Sequence, residues 1–287
     1  MHYNKLFHTI IILIIFFVIM TSGLGLFYTE NGQPFNFINQ YGDTVKIYGD
    51  GIYKNDAYFM APIFKGTDCT ILFLVVPLTI IALLLDIKMN TLKTKLFLTG
   101  LVALFTYYSI SISFGVIYNV LHLIYIALFS CNFFALIIGF ILLNNYTINI
   151  SSKMLTNGLK IYLIFSGLSL FIAWLPDIIT SIINKKSLEL IENYTTQITY
   201  VLDMGIISPL IFICLYNLWK NKNMGYILLG IILNLILLVG IMVIIQALFQ
   251  VNAGIDLPFM AMITKVGIFV IMAIVSLYYD IKLFKSI

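Results

Sequence analysis

Long apolar stretches, separated by short polar ones, run through the whole chain. An almost unbroken apolar run occupies residues 9–27. Seven more follow, at residues 69–86, 95–117, 119–143, 159–183, 196–218, 224–248 and 258–279. A helix needs about 20 mostly apolar residues to cross the hydrocarbon core of a bilayer. The pattern therefore predicts eight transmembrane helices, and it differs from the alternating pattern of a membrane β-barrel.

The segment between the first two apolar runs is polar and has the pattern of β-structure. Polar and apolar residues alternate over residues 44–48, and residues 49–51 supply turn chemistry. This pattern predicts a small β-hairpin that caps the outer face of the helices. We therefore expect an all-α integral membrane protein with an N-terminal transmembrane helix at 1–28, an extracytoplasmic β-rich loop at 29–67 and a seven-helix transmembrane bundle at 68–287.

The first apolar run has two interpretations. Its compact hydrophobic stretch, followed by Thr21-Ser22-Gly23, is compatible with a signal peptide. The run is also long enough to span a membrane, and Lys5 precedes it. We favour a first transmembrane helix that is not cleaved and that begins in the cytoplasm.

Composition and charge support this membrane assignment and predict an orientation. Hydrophobic residues make up 61% of the chain, charged residues 10%, and the mean hydropathy is +1.05, which excludes an ordinary soluble domain. Eight spans place both termini on one side, with about ten lysines there and about five on the other side. The termini are therefore expected in the cytoplasm and the protein in the inner (plasma) membrane. The lysines are scattered at helix ends, so nucleic acid is not an expected partner.

Several polar residues fall at membrane depth, and Asp203 is the most informative of them. An ionised carboxylate in hydrocarbon costs at least about 2.5–3.5 kcal/mol, so it needs a partner, water or a proton. The predicted topology places most of the other polar residues in the same outer half of the membrane. The candidate ligand- or ion-binding residues are Asp203, Asp177, Lys265, Gln246, Gln250, Asn119, Asp68 and Tyr107. They predict a water-filled cavity that opens outward and binds a polar ligand or ion.

A structural alternative stays open for the same charges. Asp203 or Asp177 could pair with Lys265 only to let the bundle fold, because buried polar groups must find partners in either case. Prolines add a second ambiguity. Pro77, Pro176 and Pro209 are expected to interrupt the second, fifth and sixth helices, and broken helices either build ion sites or only shape the packing.

Other chemistry is weakly supported. Three cysteines, without a CxxC pair, are expected to be small apolar fillers of the core rather than a disulfide framework: Cys69, Cys131 and Cys214. The loop acids Asp43, Asp50 and Asp56 do not match an EF-hand, and we expect them to be solvated. His122 has no second membrane histidine with which to share a metal. The sequence indicates neither a cofactor nor a catalytic motif.

One further hypothesis concerns the last helix. Thr264-Lys265-Val266-Gly267 is similar to the retinal-binding lysine helix of microbial rhodopsins, and discarding the first helix would leave seven spans. The remaining rhodopsin signals do not follow, because no aspartate lies one turn before Lys265 and no matching third-helix motif is present.

Several stretches resemble an uncharacterised family of bacterial multispanning proteins, known only as hypothetical membrane proteins. The segments that carry the resemblance are residues 48–53, 66–68 with Pro77, 115–119, 195–209 and the run from Gln246 through Gln250 to Gly254. Residues 195–209 are the most specific of these. The resemblance implies an architecture but no activity. Lys265 departs from the family's pattern.

These observations support three hypotheses of function. The first is a transporter of a small solute or ion. The second is a ligand-binding sensor, or an accessory subunit that works with a partner membrane protein. The third is an enzyme that acts on a lipid or lipid-linked substrate at the outer leaflet. The inner halves of the helices look mostly apolar, with Asn132 and Asn234 as exceptions, and this favours binding over transport.

Overall fold

Helices dominate the structure. The computed structural model describes residues 2–148, 154–188 and 190–287, without the side chains of His2, Ala261 and Lys265. In this part of the chain, 75% of the residues are helical, and eight helices are long and apolar enough to cross a membrane. The predicted number of long apolar helices and the predicted hairpin are both confirmed.

The helices are α1 (His2–Phe27), α2 (Ala61–Met89), α3 (Leu92–Gly115), α4 (His122–Asn144), α5 (Asn157–Asn184), α6 (Ile198–Trp219), α7 (Asn223–Asn252) and α8 (Met262–Ser286). A single turn, Phe259–Ala261, leads into α8. The start of α2 was predicted too late. Lys65, Thr67 and Asp68 have the polarity of a loop, but they form the first turns of this helix, so the predicted boundary at 67/68 lies inside it.

Side-chain contacts define two ends of the bundle. His8 of α1 contacts Asp86 of α2, and Phe97 of α3 packs against Phe284 of α8, with 6.3 Å between the ring centroids. The start of α1 and the end of α8 therefore share one end with the α2–α3 connection. We call the other end of the bundle, where α2 begins and the β-hairpin lies, the hairpin end. The end described above, away from the hairpin, is called the opposite end.

The hairpin pairs β1 (Phe35–Ile38) with β2 (Thr44–Ile47) in antiparallel register. Its turn is built by Asn39, whose Oδ1 accepts the backbone N–H groups of Tyr41 and Asp43, each at 2.9 Å. Gly49, at φ +83°, then leaves the second strand in the left-handed region that glycine tolerates, as the predicted turn requires. The turn that joins the two strands therefore lies at residues 39–43, before β2, whereas the predicted turn at residues 49–51 follows β2.

Asp50 organises the loop beside the hairpin. Burial raises the pKa of its carboxyl, but hydrogen bonds from the Thr29 hydroxyl at 2.7 Å and the Glu30 N–H at 2.8 Å outweigh that effect and lower the pKa to about 2. These donors occupy the carboxylate oxygens. Asp50 therefore fixes the backbone of residues 29–32.

Three helices contain a π turn in the part of the chain that the structure describes. These turns are Ile71–Val75 in α2, Asp203–Ile207 in α6 and Met262–Gly267 at the start of α8. Pro77 and Pro209 each follow a π turn by two residues, in the first turn of the next α-helical segment, where a missing N–H is tolerated.

The third predicted interruption, at Pro176, is absent. Helix α5 runs continuously through this proline from Asn157 to Asn184. A proline inside a helix removes one hydrogen bond, and in a membrane protein neighbouring groups can satisfy the carbonyl that is set free. The two proline interruptions that do occur lie in α2 and α6.

Small residues let the helices approach closely around α7, most of whose first half is buried. A Cβ atom on Gly66 of α2 would lie 2.7 Å from the Cα of Gln246, and one on Gly230 of α7 would lie 2.6 Å from Leu96. Small residues at such crossings are typical of helix packing in membranes. Helix α7 is therefore the central helix against which α2 and α3 pack.

A buried ionic cluster ties α1, α2 and α3 together at the opposite end. Asp86 is 0% exposed, and its Oδ2 contacts Lys95 Nζ at 2.5 Å and His8 Nε2 at 2.7 Å. Its Oδ1 accepts the Thr94 hydroxyl at 2.7 Å, and Lys95 also donates to Asn4 at 3.0 Å. Every oxygen of this carboxylate thus has a partner, as a charge buried in a bundle requires.

We expect Lys95→Met to destabilise the protein by about 3–5 kcal/mol, because it removes the buried lysine and leaves the Asp86 charge with only His8 and Thr94 as partners. The measurement is thermal unfolding of the protein purified in detergent. Lys54→Met is the matched control, since Lys54 pairs with Glu30 at 2.9 Å but both side chains are more than 40% exposed. A loss of melting temperature as small as that of the control would contradict the assignment of a stabilising buried cluster.

Candidate functional site

A cavity of about 950 Å³ opens at the hairpin end between α2, α3, α5, α6, α7 and the start of α8. The exposed residues Asp43, Asn184 and Lys186 line its mouth, and the buried Asp203 lies in its inner part. Ligand pockets commonly enclose about 300–1,000 Å³. The cavity is thus large enough for a drug-sized organic molecule and much larger than an ion requires.

Asp203 connects three helices at the wall of this cavity. It begins the π turn of α6, is 4% exposed, and accepts the Tyr107 hydroxyl of α3 on Oδ1 at 3.1 Å. Its Oδ2 accepts the indole N–H of Trp174 from α5 at 2.8 Å. Both donors are neutral, so they stabilise a carboxylate without cancelling its charge. Asp203 therefore keeps a negative charge available to a ligand when it is ionised.

Asp177 lies on the facing helix in a matching arrangement. It accepts the Tyr200 hydroxyl at 2.7 Å, and the rings of Trp174 and Tyr200 stack with 4.7 Å between their centroids. On α5 and on α6, an aromatic residue precedes an aspartate by three positions, and each aromatic residue donates to the aspartate of the other helix. Trp174, Asp177, Tyr200 and Asp203 thus form two reciprocal hydrogen bonds between α5 and α6. The predicted convergence of the two acids on one cavity is what the structure shows.

The two predicted glutamines line the same cavity from α7. Gln246 donates to the Thr67 hydroxyl of α2 at 2.7 Å, and Gln250 donates to the Phe59 carbonyl at 3.2 Å. Their spacing of four residues places both on one face of the helix. Tyr107 completes the set of predicted residues that the cavity brings together, namely Asp203, Asp177, Gln246, Gln250 and Tyr107.

Two predicted site residues lie elsewhere. Asp68 is fully buried behind the cavity wall, where its carboxylate accepts the hydroxyls of Tyr53 and Tyr108, each at 2.7 Å. A Cβ atom on Gly25 would lie 2.1 Å from this carboxylate, so glycine is needed there. Asn119 lies in the turn between α3 and α4, where its Oδ1 accepts the Leu121 N–H at 2.9 Å. Asp68 joins two tyrosine side chains and Asn119 orders a turn, and neither residue lines the cavity.

Lys265 belongs to the π turn Met262–Gly267, and its side chain lies outside the described part of the structure. Two other residues of that turn, Met262 and Val266, line the cavity. The pairing of Lys265 with Asp203 or Asp177, and its similarity to a retinal-binding lysine, therefore stay predictions.

The connection between α5 and α6 covers part of the cavity, and the sequence did not predict this role. We call this connection the lid. It contributes Glu192 and Gln197 to the cavity wall, and the hairpin turn holds it in place. Asn39 donates to the Glu192 carbonyl at 2.6 Å, and Gln40 donates to the Tyr194 carbonyl at 2.8 Å. These contacts join residues about 150 positions apart, so no local pattern indicates them.

Asp56 is buried, so the prediction that it is a solvated loop acid is wrong. It is 0% exposed, and its Oδ1 accepts the Tyr194 hydroxyl at 2.8 Å and the Ile117 N–H at 2.9 Å. Its Oδ2 is buried and has no hydrogen-bond partner among the described residues. Burial raises the pKa of this carboxyl to about 7, although the two hydrogen bonds lower it. Asp56 therefore joins the hairpin segment, the α3–α4 turn and the lid.

The described lining of the cavity is acidic on one side and apolar on the other. Its acids are Asp43, Asp177, Glu192 and Asp203, against one described lysine, Lys186. Burial also raises the pKa of the Glu192 carboxyl. The wall formed by α7 and α8 is mainly apolar, through Val239, Met242, Val243, Val266 and Phe269. The site thus combines negative charge with hydrophobic surface.

An apolar seal lies beyond Asp203 toward the opposite end. A void of only about 20 Å³ adjoins Asp203 and Tyr107 there, lined mainly by hydrophobic side chains such as Ile211, Leu235 and Ile236. Asn132 and Asn234, which lie in these halves, each donate to a carbonyl of their own helix, and Asn234 also donates to Asp280 of α8 at 3.3 Å. The large cavity therefore ends near Asp203 in this conformation.

No group of three or more metal-ligating side chains occurs among the described residues. Comparisons with protein-family models, with curated proteins and with solved structures found no match to this chain. The physical character of the cavity is therefore the basis for any statement about function.

We expect Asp56→Asn to remove a pH dependence of stability. The raised pKa means that the folded state binds a proton more tightly than the unfolded state, so this contribution is present at low pH and is lost as the pH rises through about 7. The measurement is the melting temperature between about pH 4 and pH 8. The melting temperature of the wild type minus that of Asp56→Asn should fall as the pH rises. The control variant Asp43→Asn, at an exposed acid, should have the same pH profile of melting temperature as the wild type. Parallel profiles of wild type and Asp56→Asn would contradict this role.

Proposed function

We propose that the protein is a multi-pass inner-membrane transporter that takes a small, positively charged solute or ion from the outer side of the membrane. The observation that carries this proposal is the cavity of about 950 Å³ at the hairpin end, with the carboxylates of Asp177 and Asp203 in its wall. Acids at membrane depth are rare, because they are costly, and they commonly mark ion or proton pathways.

Helix geometry adds support. The π turn of α6 presents Asp203, and the π turn of α8 presents Met262 and Val266 to the same cavity. π turns are frequent at functional sites, and interrupted helices are common at the substrate sites of transporters. The interruptions of two helices beside one cavity fit a binding site better than a packing role alone.

The distribution of charge supports an orientation. Both termini lie at the opposite end, together with Lys5, Lys88, Lys93, Lys95, Lys160, Lys220, Lys222, Lys282 and Lys285, whereas Lys46, Lys54, Lys65, Lys185 and Lys186 lie toward the hairpin end. The positive-inside rule then places the opposite end in the cytoplasm and the hairpin outside. The cavity would open to the outer side, and the apolar seal would be the closed inner gate of an outward-facing state.

A ligand-binding sensor or accessory subunit is the second candidate, and one observation favours it. The cavity ends at an apolar seal instead of continuing inward, so a protein that only binds its ligand would need no further opening. In that case, the lid and the hairpin would report ligand binding to a partner protein. Flux across a membrane separates the two candidates, because only a transporter must open the seal.

Asp203→Asn tests the site. We expect ligand-dependent uptake by the variant to be at least about tenfold lower than by the wild type, because the amide keeps the shape of the side chain but removes its negative charge. The measurement is uptake into proteoliposomes of radiolabelled organic cations, with protein-free liposomes as background. Glu30→Gln, at an exposed acid outside the cavity, is the control. Saturable binding without uptake in the wild type would support the sensor instead, and equal uptake by wild type and Asp203→Asn would remove Asp203 from the site.

Cysteine labelling tests the orientation. We expect a cysteine at Asn184 to react with a membrane-impermeant maleimide in intact cells, and a cysteine at Lys220 to react only after permeabilisation. Both positions are exposed at the ends of helices. The background is the variant in which Cys69, Cys131 and Cys214 are replaced by serine or alanine. Labelling of position 220 alone in intact cells would contradict the proposed topology and indicate the reverse orientation.

A further inference from the structure

A further acid is buried in the half of the bundle that lies toward the opposite end. Asp280 of α8 is only 9% exposed, although it lies about 9 Å from the end of that helix at Ser286. Among the described residues, its carboxyl group has one hydrogen-bond partner, the Asn234 amide of α7 at 3.3 Å. Acids buried in membrane helices are rare and commonly mark ion or proton pathways. The cavity at the hairpin end gives no role to Asp280.

The surroundings of Asp280 favour a proton over a metal ion. Asp86, at the same end, contacts Lys95 and His8, whereas Asp280 has no ion pair among the described residues. A dehydrated carboxylate with a single neutral donor is costly, so such a group is neutralised instead. A metal ion would be bound by several converging oxygen ligands, but Asn234 donates an N–H group to Asp280. A proton on the other carboxyl oxygen agrees with this geometry.

The charged side chains nearby lie toward the helix ends. Helix α7 has no charged residue between Asn223 and Asn252. The titratable residues in the corresponding halves of α3, α5, α7 and α8 are Lys93, Lys95, Lys160, Tyr162, Tyr226, Tyr278, Tyr279, Lys282 and Lys285. Lys95 is bound to Asp86, and none of the other lysines in this set forms an ion pair with Asp280. No cation among these residues therefore takes the place of a proton.

Buried hydroxyl groups extend from Asp280 toward the cavity. Ser276 is 0% exposed and lies one turn before Asp280 on the same face of α8. On α5, the Tyr162 hydroxyl donates to the Met272 carbonyl at 3.0 Å, and the hydroxyl groups of Ser166 and Ser276 both lie near it. These three hydroxyl groups form a polar line between α5 and α8, beside the apolar seal. We call Ser166, Tyr162 and Ser276 the hydroxyl line.

Ser166 is the end of the hydroxyl line that lies closest to the cavity. Its hydroxyl is buried and has no hydrogen-bond partner among the described residues, whereas most buried polar groups have one. Ser166 lines the void of about 20 Å³ that adjoins Asp203 and Tyr107. A void of this size has room for about one water molecule. One water is thus enough to connect the Ser166 hydroxyl with the Asp203 carboxyl group.

We propose that Asp280 is an inner proton site that receives protons from Asp203 along the hydroxyl line, so that uptake is coupled to inward proton movement. This inference rests on the proposed function and names the ion that drives it. Each hydroxyl group accepts a proton on one side and releases its own proton on the other. Asp203 loses a proton, Asp280 gains one, and Asp280 then releases it to water at the opposite end.

Proton flux tests this pathway without knowledge of the solute. The full-length protein is reconstituted into liposomes that contain the pH indicator pyranine, and a potassium gradient with valinomycin makes the interior negative. We expect the interior to acidify at least about tenfold faster than in protein-free liposomes, because a buried acid linked to hydroxyl groups can pass protons across the bundle. Asp280→Asn should lower this flux about tenfold, since an amide does not take up and release a proton at neutral pH.

Further variants separate a proton pathway from a structural role. Asp280→Glu keeps a titratable carboxyl group and should retain part of the flux. Ser166→Ala should slow the flux without lowering the melting temperature, because it removes a hydroxyl group that has no partner among the described residues. Ser169→Ala is the matched control, at a buried serine of the same helix that bonds to the Ser166 carbonyl and lies outside the hydroxyl line. Size-exclusion profiles and melting temperatures confirm that each variant is folded.

The outcomes distinguish this inference from the proposed function. A wild-type flux no faster than that of protein-free liposomes, or equal fluxes in the wild type and in folded Asp280→Asn, would overturn the proton site, while uptake of radiolabelled cations would still support the transporter. A flux that depends on Asp280 and Ser166, without cation uptake by the wild type, would support the proton site and contradict the transporter. Cation uptake that ignores an outside-acid pH gradient would overturn the coupling.

Discussion

A buried carboxylate must be surrounded by donors, and this requirement organises the bundle. Asp68 receives two tyrosine hydroxyls, Asp203 a tyrosine and a tryptophan, and Asp86 a lysine, a histidine and a threonine. In each case, the donors come from at least two different segments of the chain. Each acid therefore joins several segments at once, and loss of one partner leaves the desolvation of the acid only partly compensated.

The carboxylates differ in the charge of their partners, and this difference separates structure from function. Asp86 has a cationic partner and lies far from the cavity, as a residue that fixes helices should. Asp203 has two neutral aromatic donors and lines open space. The first arrangement neutralises a charge, whereas the second positions one. Asp203 is thus a part of the buried polar structure that can attract a ligand.

Much of this arrangement could be predicted from the sequence, because depth in a membrane follows from position in an apolar run. Asp177 and Asp203 lie near the same end of consecutive helices, and counting inward from the shared connection brings them together. Asn119 shows the limit of that argument. The start of α4 lies at His122, three residues later than predicted, and this small error turns a predicted site residue into one that orders a turn.

Contacts between distant loops could not be predicted in this way. The burial of Asp56 depends on Tyr194, 138 residues later, and the lid depends on the turn of the hairpin. Local patterns show only that these segments are polar. Their partners are set by which loops meet over the bundle, which is a property of the whole fold.

The π turn of α6 has a geometric consequence for any helical wheel drawn from this sequence. Residues five apart differ by about 140° in a regular α-helix, so Asp203 and Ser208 would face different neighbours. In the structure, both bond to α5: Asp203 accepts the Trp174 indole, and the Ser208 hydroxyl donates to the Gly167 carbonyl at 2.8 Å. The extra residue of the π turn shifts the phase of the helix, so residues before and after the turn lie on the same face of α6, toward α5. A regular period of 3.6 residues per turn would place them on different faces.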